Sequence, residues 1–305
     1  MTPPGLPSAV CVHDGQVRID NPDDIHDYYA AIVDVLIPHL AGRPVTVGTA
    51  DGSLLGVEFI DSAEDLDYLL ERGAVTLATT LPDPPSTPAT SAARTVAWCT
   101  LHVASGEGTG IATAATAALA LCQAMSSDGL TAVVTTDGGE GLYVRAMGSG
   151  TRRRSRSVQG SRAVDTARTG VDGPWEIASG YAEELARIAP EIATVDPRQA
   201  DGRALIDASP SWPGNVTPVP YSLVTSTPAT PATPATPATL TTLTAPAAAQ
   251  QADARCVVPL DLDELAATTA GMPMDPGPQD VVGRLAARGD LAIALLDDGG
   301  DPRVG

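Results

Sequence analysis

The fold is decided by the middle of the chain, where Thr95–Val103 (TVAWCTLHV) is followed by Ile111–Met125 (IATAATAALALCQAM), Leu130–Thr136 (LTAVVTT) and Leu142–Met147 (LYVRAM). The first segment is rich in β-branched and apolar residues and reads as a strand. Gly106-Glu-Gly108 breaks it. The second is an alanine-rich helix. The third and fourth are strands joined at the turn Asp137-Gly-Gly139. Strand, helix, strand, tight turn and strand together specify a mixed α/β domain.

Periodic segments continue on both sides. Pro22-Asp-Asp24 opens a helix in which Ile25, Tyr28, Tyr29, Ile32, Leu36 and Leu40 recur at helical spacing, and Gly42 stops it. Arg43–Val47 and Leu55–Ile60 read as a strand pair across Thr49-Ala-Asp-Gly52. Ser62-Ala-Glu-Asp65 is a capping-type start for a short helix with Leu66, Leu69 and Leu70. Val75–Thr80 is a strand and Pro82–Thr90 a proline-rich loop. Further on, Trp175–Ile188 is an amphipathic helix, and Arg203–Ala208 and Val216–Val219 are short strands. Leu260–Ala267 and Gln279–Ala287 are predicted as terminal helices. Thr227–Thr239 is the repeat TPATPATPATPAT, whose prolines exclude helix interior and central strand and favour an extended, disordered state.

Charge narrows the chemistry. The 305 residues carry a net charge of −19, and all 18 basic residues are arginine. Without lysine there is no Schiff base, no lysine-AMP adduct and no P-loop. An acidic chain with 3% aromatic residues offers few stacking platforms and repels phosphate backbones. Between residues 145 and 170, however, seven arginines face one acid, Asp165, giving 7 − 1 = +6 and leaving −19 − 6 = −25 for the rest. Arg152, Arg153, Arg154 and Arg156 are the candidate contacts to DNA ends or to acidic or DNA-repair partners; the alternative is an unstructured insertion neutralised by the acidic body. Cys11, Cys99, Cys122 and Cys256 form no CxxC pair, so neither a zinc site nor a disulfide framework is expected. No signal peptide or membrane-length apolar run is read, and a cytoplasmic chain with reduced thiols is expected. His13, His26 and His39 are expected at the surface or at helix ends.

The stretches Asp27-Tyr-Tyr29 and Ile37-Pro-His-Leu-Ala-Gly-Arg-Pro-Val-Thr46 resemble the polymerase domain of bacterial ATP-dependent DNA ligase D, of the archaeo-eukaryotic primase superfamily. The likeness continues in order through Gly106-Glu-Gly108, Gly138-Gly-Glu-Gly-Leu-Tyr143, Asp207, Pro220-Tyr-Ser-Leu223, Val258–Leu265 and Arg284–Leu291. It implies one domain over residues 16–297, with an arginine-rich insertion at 148–173, a Thr-Pro-Ala loop at 225–253, a disordered start at 1–15 and a tail at 298–305. The implied fold is a primase-polymerase type α/β domain with a mixed central sheet flanked by helices. The implied context is DNA-end repair by non-homologous joining.

The implied chemistry is two-metal nucleotidyl transfer, with Mn or Mg held by carboxylates. Such a site takes an Asp-x-Asp pair from one strand and a third carboxylate from another. Here the pair falls on His102 and Ala104, and Asp207 stands at the third position. The nucleotide-binding motif positions are Asp137, Gly138, Gly139, Glu140, Tyr143 and Ser222. Glu140 replaces a basic residue, and an acid there repels a triphosphate. The expectation is a catalytically degenerate member without a cofactor, and without ligase activity because no lysine can carry AMP. Other readings stand beside it. His102 with Asp207 could form a reduced one-metal site, or His102 could be a strand histidine with a local bond. Asp207 could cap a turn. Relocated ligands such as Glu107 with Asp207 could keep nucleotidyl transfer, or the fold could serve as a protein-interaction module.

Overall fold

The computed structural model describes residues 17–18, 22–80, 96–149, 173–225, 253–272 and 278–296. The first stretch gives β1 (Val17–Arg18), α1 (Pro22–Leu40), β2 (Pro44–Thr49), β3 (Leu54–Phe59), α2 (Ala63–Glu71) and β4 (Ala74–Thr80). Then come β5 (Val96–Ala104), α3 (Ile111–Ser127), β6 (Thr131–Thr136), β7 (Gly141–Ser149) and α4 (Pro174–Ile188). The remainder is β8 (Ala193–Thr194), β9 (Ala204–Asp207), β10 (Val216–Pro218), β11 (Leu223–Thr225), β12 (Asp253–Cys256), β13 (Pro259–Leu260), α5 (Leu262–Thr269) and α6 (Pro278–Arg288).

Two compact units result. One draws on described residues within 1–79, 218–258 and 275–290, the other on those within 80–217, 259–274 and 291–305. The mixed α/β fold that the resemblance implies is built on two mixed sheets, one of seven strands and one of six among the described residues. The N-terminal expectation for 1–15, the loop at 82–90, most of the arginine-rich insertion, the Thr-Pro-Ala repeat and the 298–305 tail lie outside the described residues.

In the first unit the sheet runs β1-β12-β11-β4-β2-β3. Val45, Val47 and Leu77 are fully or almost fully buried on one face, as are Tyr28, Tyr29, Ile32 and Leu36 of α1. The Ser62 side chain accepts from the Asp65 amide while Asp65 reaches back to the Ser62 amide, so the capping box read in the sequence forms. A buried polar network closes this core. The Tyr28 hydroxyl donates to the Tyr221 carbonyl at 2.7 Å and lies 2.8 Å from Cys256 Sγ. The Tyr29 hydroxyl donates to the Val75 carbonyl and accepts from the Leu223 amide. Burial pushes the Cys256 thiol up to about 12. Tyr221 adopts φ +68, a left-handed conformation that a non-glycine residue rarely takes. Its amide bonds the Val257 carbonyl and its hydroxyl donates to Asp290 Oδ1 at 2.8 Å, which holds it there. Asp290 Oδ2 in turn lies 2.9 Å from His39 Nε2. His39 thus stands at a helix end, one of the two places expected, but it is buried and not at the surface, and its partner is 251 positions away in the chain.

In the second unit the sheet runs β13-β6-β7-β5-β9-β8, antiparallel except for the β8–β9 pair. Cys99, Leu101 and Val103 alternate onto one face, where they join Ala114, Ala117, Ala118 and Leu121 of α3, Ala178 and Ala182 of α4 and Leu265 of α5. The alanines let these helices lie close to the sheet. Cys99 and Cys122 are core residues, as read. α5 starts two residues later than expected because Pro259 and Leu260 pair with β6 and Asp261 is the N-cap, in a capping box with Glu264. Because side chains alternate, the opposite face of this sheet receives the even-numbered residues of β5.

Candidate functional site

The antiparallel register of the second sheet lines up Asp207, His102, Tyr143 and Thr135 on four neighbouring strands, β9, β5, β7 and β6. One step along, Thr100, Arg145 and Val133 are aligned in the same way. Residues in register share a face, so a polar row stands on the sheet opposite the packed helices.

His102 and Asp137 form the centre. His102 Nε2 lies 2.9 Å from Asp137 Oδ2, and the two side chains are 23% and 19% exposed. Asp137 Oδ1 accepts from the amides of Gly139 at 2.7 Å and Gly141 at 3.1 Å, which fixes the β6–β7 turn. Burial would raise the Asp137 carboxyl, but the bond and charge of His102 and the two amides outweigh it and hold it below the usual carboxylate range. Gly141 makes the contact possible. A Cβ there would meet Asp137 Oδ2 at 2.2 Å and His102 Nε2 at 2.8 Å.

Around the pair, the Tyr143 ring centroid is 4.8 Å from that of His102. Arg145 Cζ lies 5.0 Å from the Tyr143 ring centroid, and Arg145 Nη1 donates to Thr135 Oγ1. Burial lowers Arg145 to about 10, against the effect of Tyr143, so it remains cationic at neutral pH. Tyr143 is pushed up to about 12, first by burial; Arg145 opposes this, and Asp137 and Asp207 add to it. Thr100 Oγ1 is buried without a hydrogen-bond partner, while the Thr100 backbone bonds Ser211 Oγ through both its amide and its carbonyl.

Asp207 is in register with His102 but bonded elsewhere. Its Oδ1 accepts from the Ser209 amide at 2.8 Å and its Oδ2 from the Ser209 hydroxyl at 2.6 Å. It is thereby tied to Ser209, the first residue of the 3-10 turn Ser209–Ser211. Ala104 offers no ligand atom. Among the described residues no group of three or more His, Cys, Asp or Glu side chains is placed to hold a metal ion. The donor set therefore does not fit the two-cation arrangement, which needs converging carboxylates.

The whole described fold is shared with a solved protein. Aligned over 96% of this chain and 99% of the other, with a TM-score of 0.62 and 19% identity, the structure is similar to the polymerase domain from Mycobacterium tuberculosis Ligase D in complex with DNA. The chain has the polymerase-domain fold. No family model and no curated protein matches the sequence. Among the described residues, no helix is long and apolar enough to cross a membrane.

Within this polymerase-domain fold, the residues singled out in the sequence separate. His102, Asp137, Gly138, Gly139, Glu140, Tyr143 and Asp207 all lie on the second sheet or its β6–β7 turn. Glu140 is exposed, and its carbonyl accepts from the Ser105 hydroxyl. Ser222 belongs to the first unit; it is fully buried, and its hydroxyl donates to the Val219 carbonyl. Glu107 is exposed on the β5–α3 loop, its carbonyl accepting from the Gly202 amide. This loop is held tight at Gly106, where a Cβ would come 1.9 Å from the Ala200 carbonyl oxygen. Arg152, Arg153, Arg154 and Arg156 lie outside the described residues. Sequence reasoning did not select Arg145, Gly141 or Ser209 as site residues. Arg145 carried a readable signal, since a lone arginine in the otherwise apolar strand LYVRAM must find polar company.

Proposed function

We propose that this chain is a polymerase-domain protein of DNA-end repair in which nucleotidyl transfer has been lost, and which acts as a binding or accessory module. The observation that carries this reading is the 2.9 Å contact between His102 and Asp137. His102 stands at a position where the resembling family places a carboxylate for the cation, and here an imidazole is bonded to the acid of the neighbouring turn. Two further features support it. Both oxygens of Asp207 are bonded to Ser209, and Glu140 brings negative charge where a triphosphate would need positive.

DNA association is part of the proposal, because the similar polymerase domain is in complex with DNA. With −25 on the rest of the chain, the contact falls to the +6 segment and its arginines Arg152, Arg153, Arg154 and Arg156. Calorimetric titration with Mn²⁺ tests the first part and is expected to give no saturable heat; a stoichiometric isotherm removed by Asp207→Ala would overturn it. Gel retardation of a short duplex with a recessed end tests the second. Binding is expected to weaken steeply with salt and to disappear when the four arginines become alanine; retention by that variant would sink the arginine assignment.

A further inference from the structure

The last strand of the first unit's sheet carries apolar side chains that nothing among the described residues covers. Leu54, Val57 and Phe59 of β3 are 47%, 59% and 63% exposed. Phe59 is the chain's single phenylalanine. Val57 and Phe59 are two positions apart and so project from one face of the strand. β2 pairs with one edge of β3, and among the described residues no strand pairs with the other. An open edge offers backbone donors and acceptors to another extended chain. Tyr68 of α2 is 60% exposed. Arg72 links the two elements, with its guanidinium 5.4 Å from the Tyr68 ring centroid and 3.9 Å from Glu58.

Charge identifies the occupant. From Asp51 through Glu58 and Asp61 to Glu71 the chain carries seven acidic residues and no basic one. Hydrogen bonds from Thr49 to Asp51 and from Ser62 to Asp65 hold those carboxyls below the ordinary range, so they stay charged. A second copy using this edge would set seven acids against seven, and a phosphate backbone would be repelled in the same way. An extended segment that alternates apolar and cationic side chains satisfies the open edge, the exposed apolar face and the acidic rim together.

We propose that the β3 edge is a docking site for a basic, extended polypeptide segment, which adds to the sheet as a further strand. Its apolar side chains lie on Val57 and Phe59, and its cations face the acids of the β2–β3 turn and α2. This goes beyond the nucleotide site and does not depend on it, since every residue involved belongs to the first unit.

The test uses the full chain and a fluorescein-labelled heptapeptide of alternating arginine and valine, followed by fluorescence anisotropy. Saturable binding that weakens with added NaCl is expected. The double variant Val57→Ser, Phe59→Ser should bind at least about tenfold more weakly, with an unchanged melting curve because both side chains are exposed. A heptapeptide methylated on alternate backbone amides should not bind, because it cannot pair with the edge. Equal binding of the methylated probe or equal affinity of the double variant would reduce the effect to general charge attraction and overturn the proposal. A duplex oligonucleotide that binds more tightly than the peptide and loses affinity in the same double variant would overturn it too. So would a dimer in sedimentation that this variant dissolves.

Discussion

Two histidine–aspartate contacts of the same length, 2.9 Å, stand in the two units and do different work. His39–Asp290 is sealed, with side chains 2% and 11% exposed, and Asp290 also receives the Tyr221 hydroxyl. His102–Asp137 is partly open, at 23% and 19%, on a sheet face with Tyr143 and Arg145. The first belongs to stretches that resemble the ligase D polymerase domain, around Ile37–Thr46, Pro220–Leu223 and Arg284–Leu291. The second stands at positions that the resemblance assigns to cation and nucleotide binding. The proposed loss of nucleotidyl transfer holds that the packing contacts were kept and these positions changed.

The largest expected effect comes from the sealed pair. His39→Ala removes a buried partner of Asp290 and should cost about 3 kcal/mol of unfolding free energy, read by urea denaturation. A cost no greater than that of His102→Ala would erase the distinction between the pairs. Gly141→Ala comes next. Its methyl group meets Asp137 and His102, so the turn must shift, at about 2 kcal/mol. Hydrogen exchange should show the loosening in the β6–β7 turn while α1 stays protected; uniform loosening would contradict the separation. His102→Ala itself should cost about 1 kcal/mol, as for one ordinary hydrogen bond.

The smallest effect is a pH dependence. Asp137 has its folded pKa below the ordinary carboxylate value, so its contribution is fully present above about pH 4 and fades as pH falls through the folded value. Denaturation midpoints of the native chain and of Asp137→Asn should differ most at neutral pH and converge in acid. A gap that stays constant down to pH 3 would show that the carboxylate charge contributes nothing there.

Much of the fold was legible in the sequence because its periodicities are strong. α1 is bounded as read, from Pro22 to Leu40, since six apolar residues recur at helical spacing between a proline start and Gly42. β1 and β8 were not legible, because two residues carry no period, and the partner of β1, β12, lies far along the chain. The site was half legible. Strand alternation puts His102 on the face away from Leu101 and Val103, and the cross-strand register adds Tyr143 and Asp207 to it. The bond from His102 goes instead to Asp137, 35 positions on, because the turn at Gly139 and Gly141 swings that carboxylate onto the imidazole. Neither that reach nor the capture of Asp207 by Ser209 has a sequence period to announce it.

The central claim is that a polymerase fold persists here without polymerase chemistry. Primer extension with Mn²⁺, a recessed-end duplex and labelled nucleotides tests it most directly. The account predicts no nucleotide addition above the level of an enzyme-free control. Addition that is robust in the native chain and vanishes in Asp207→Ala would contradict it.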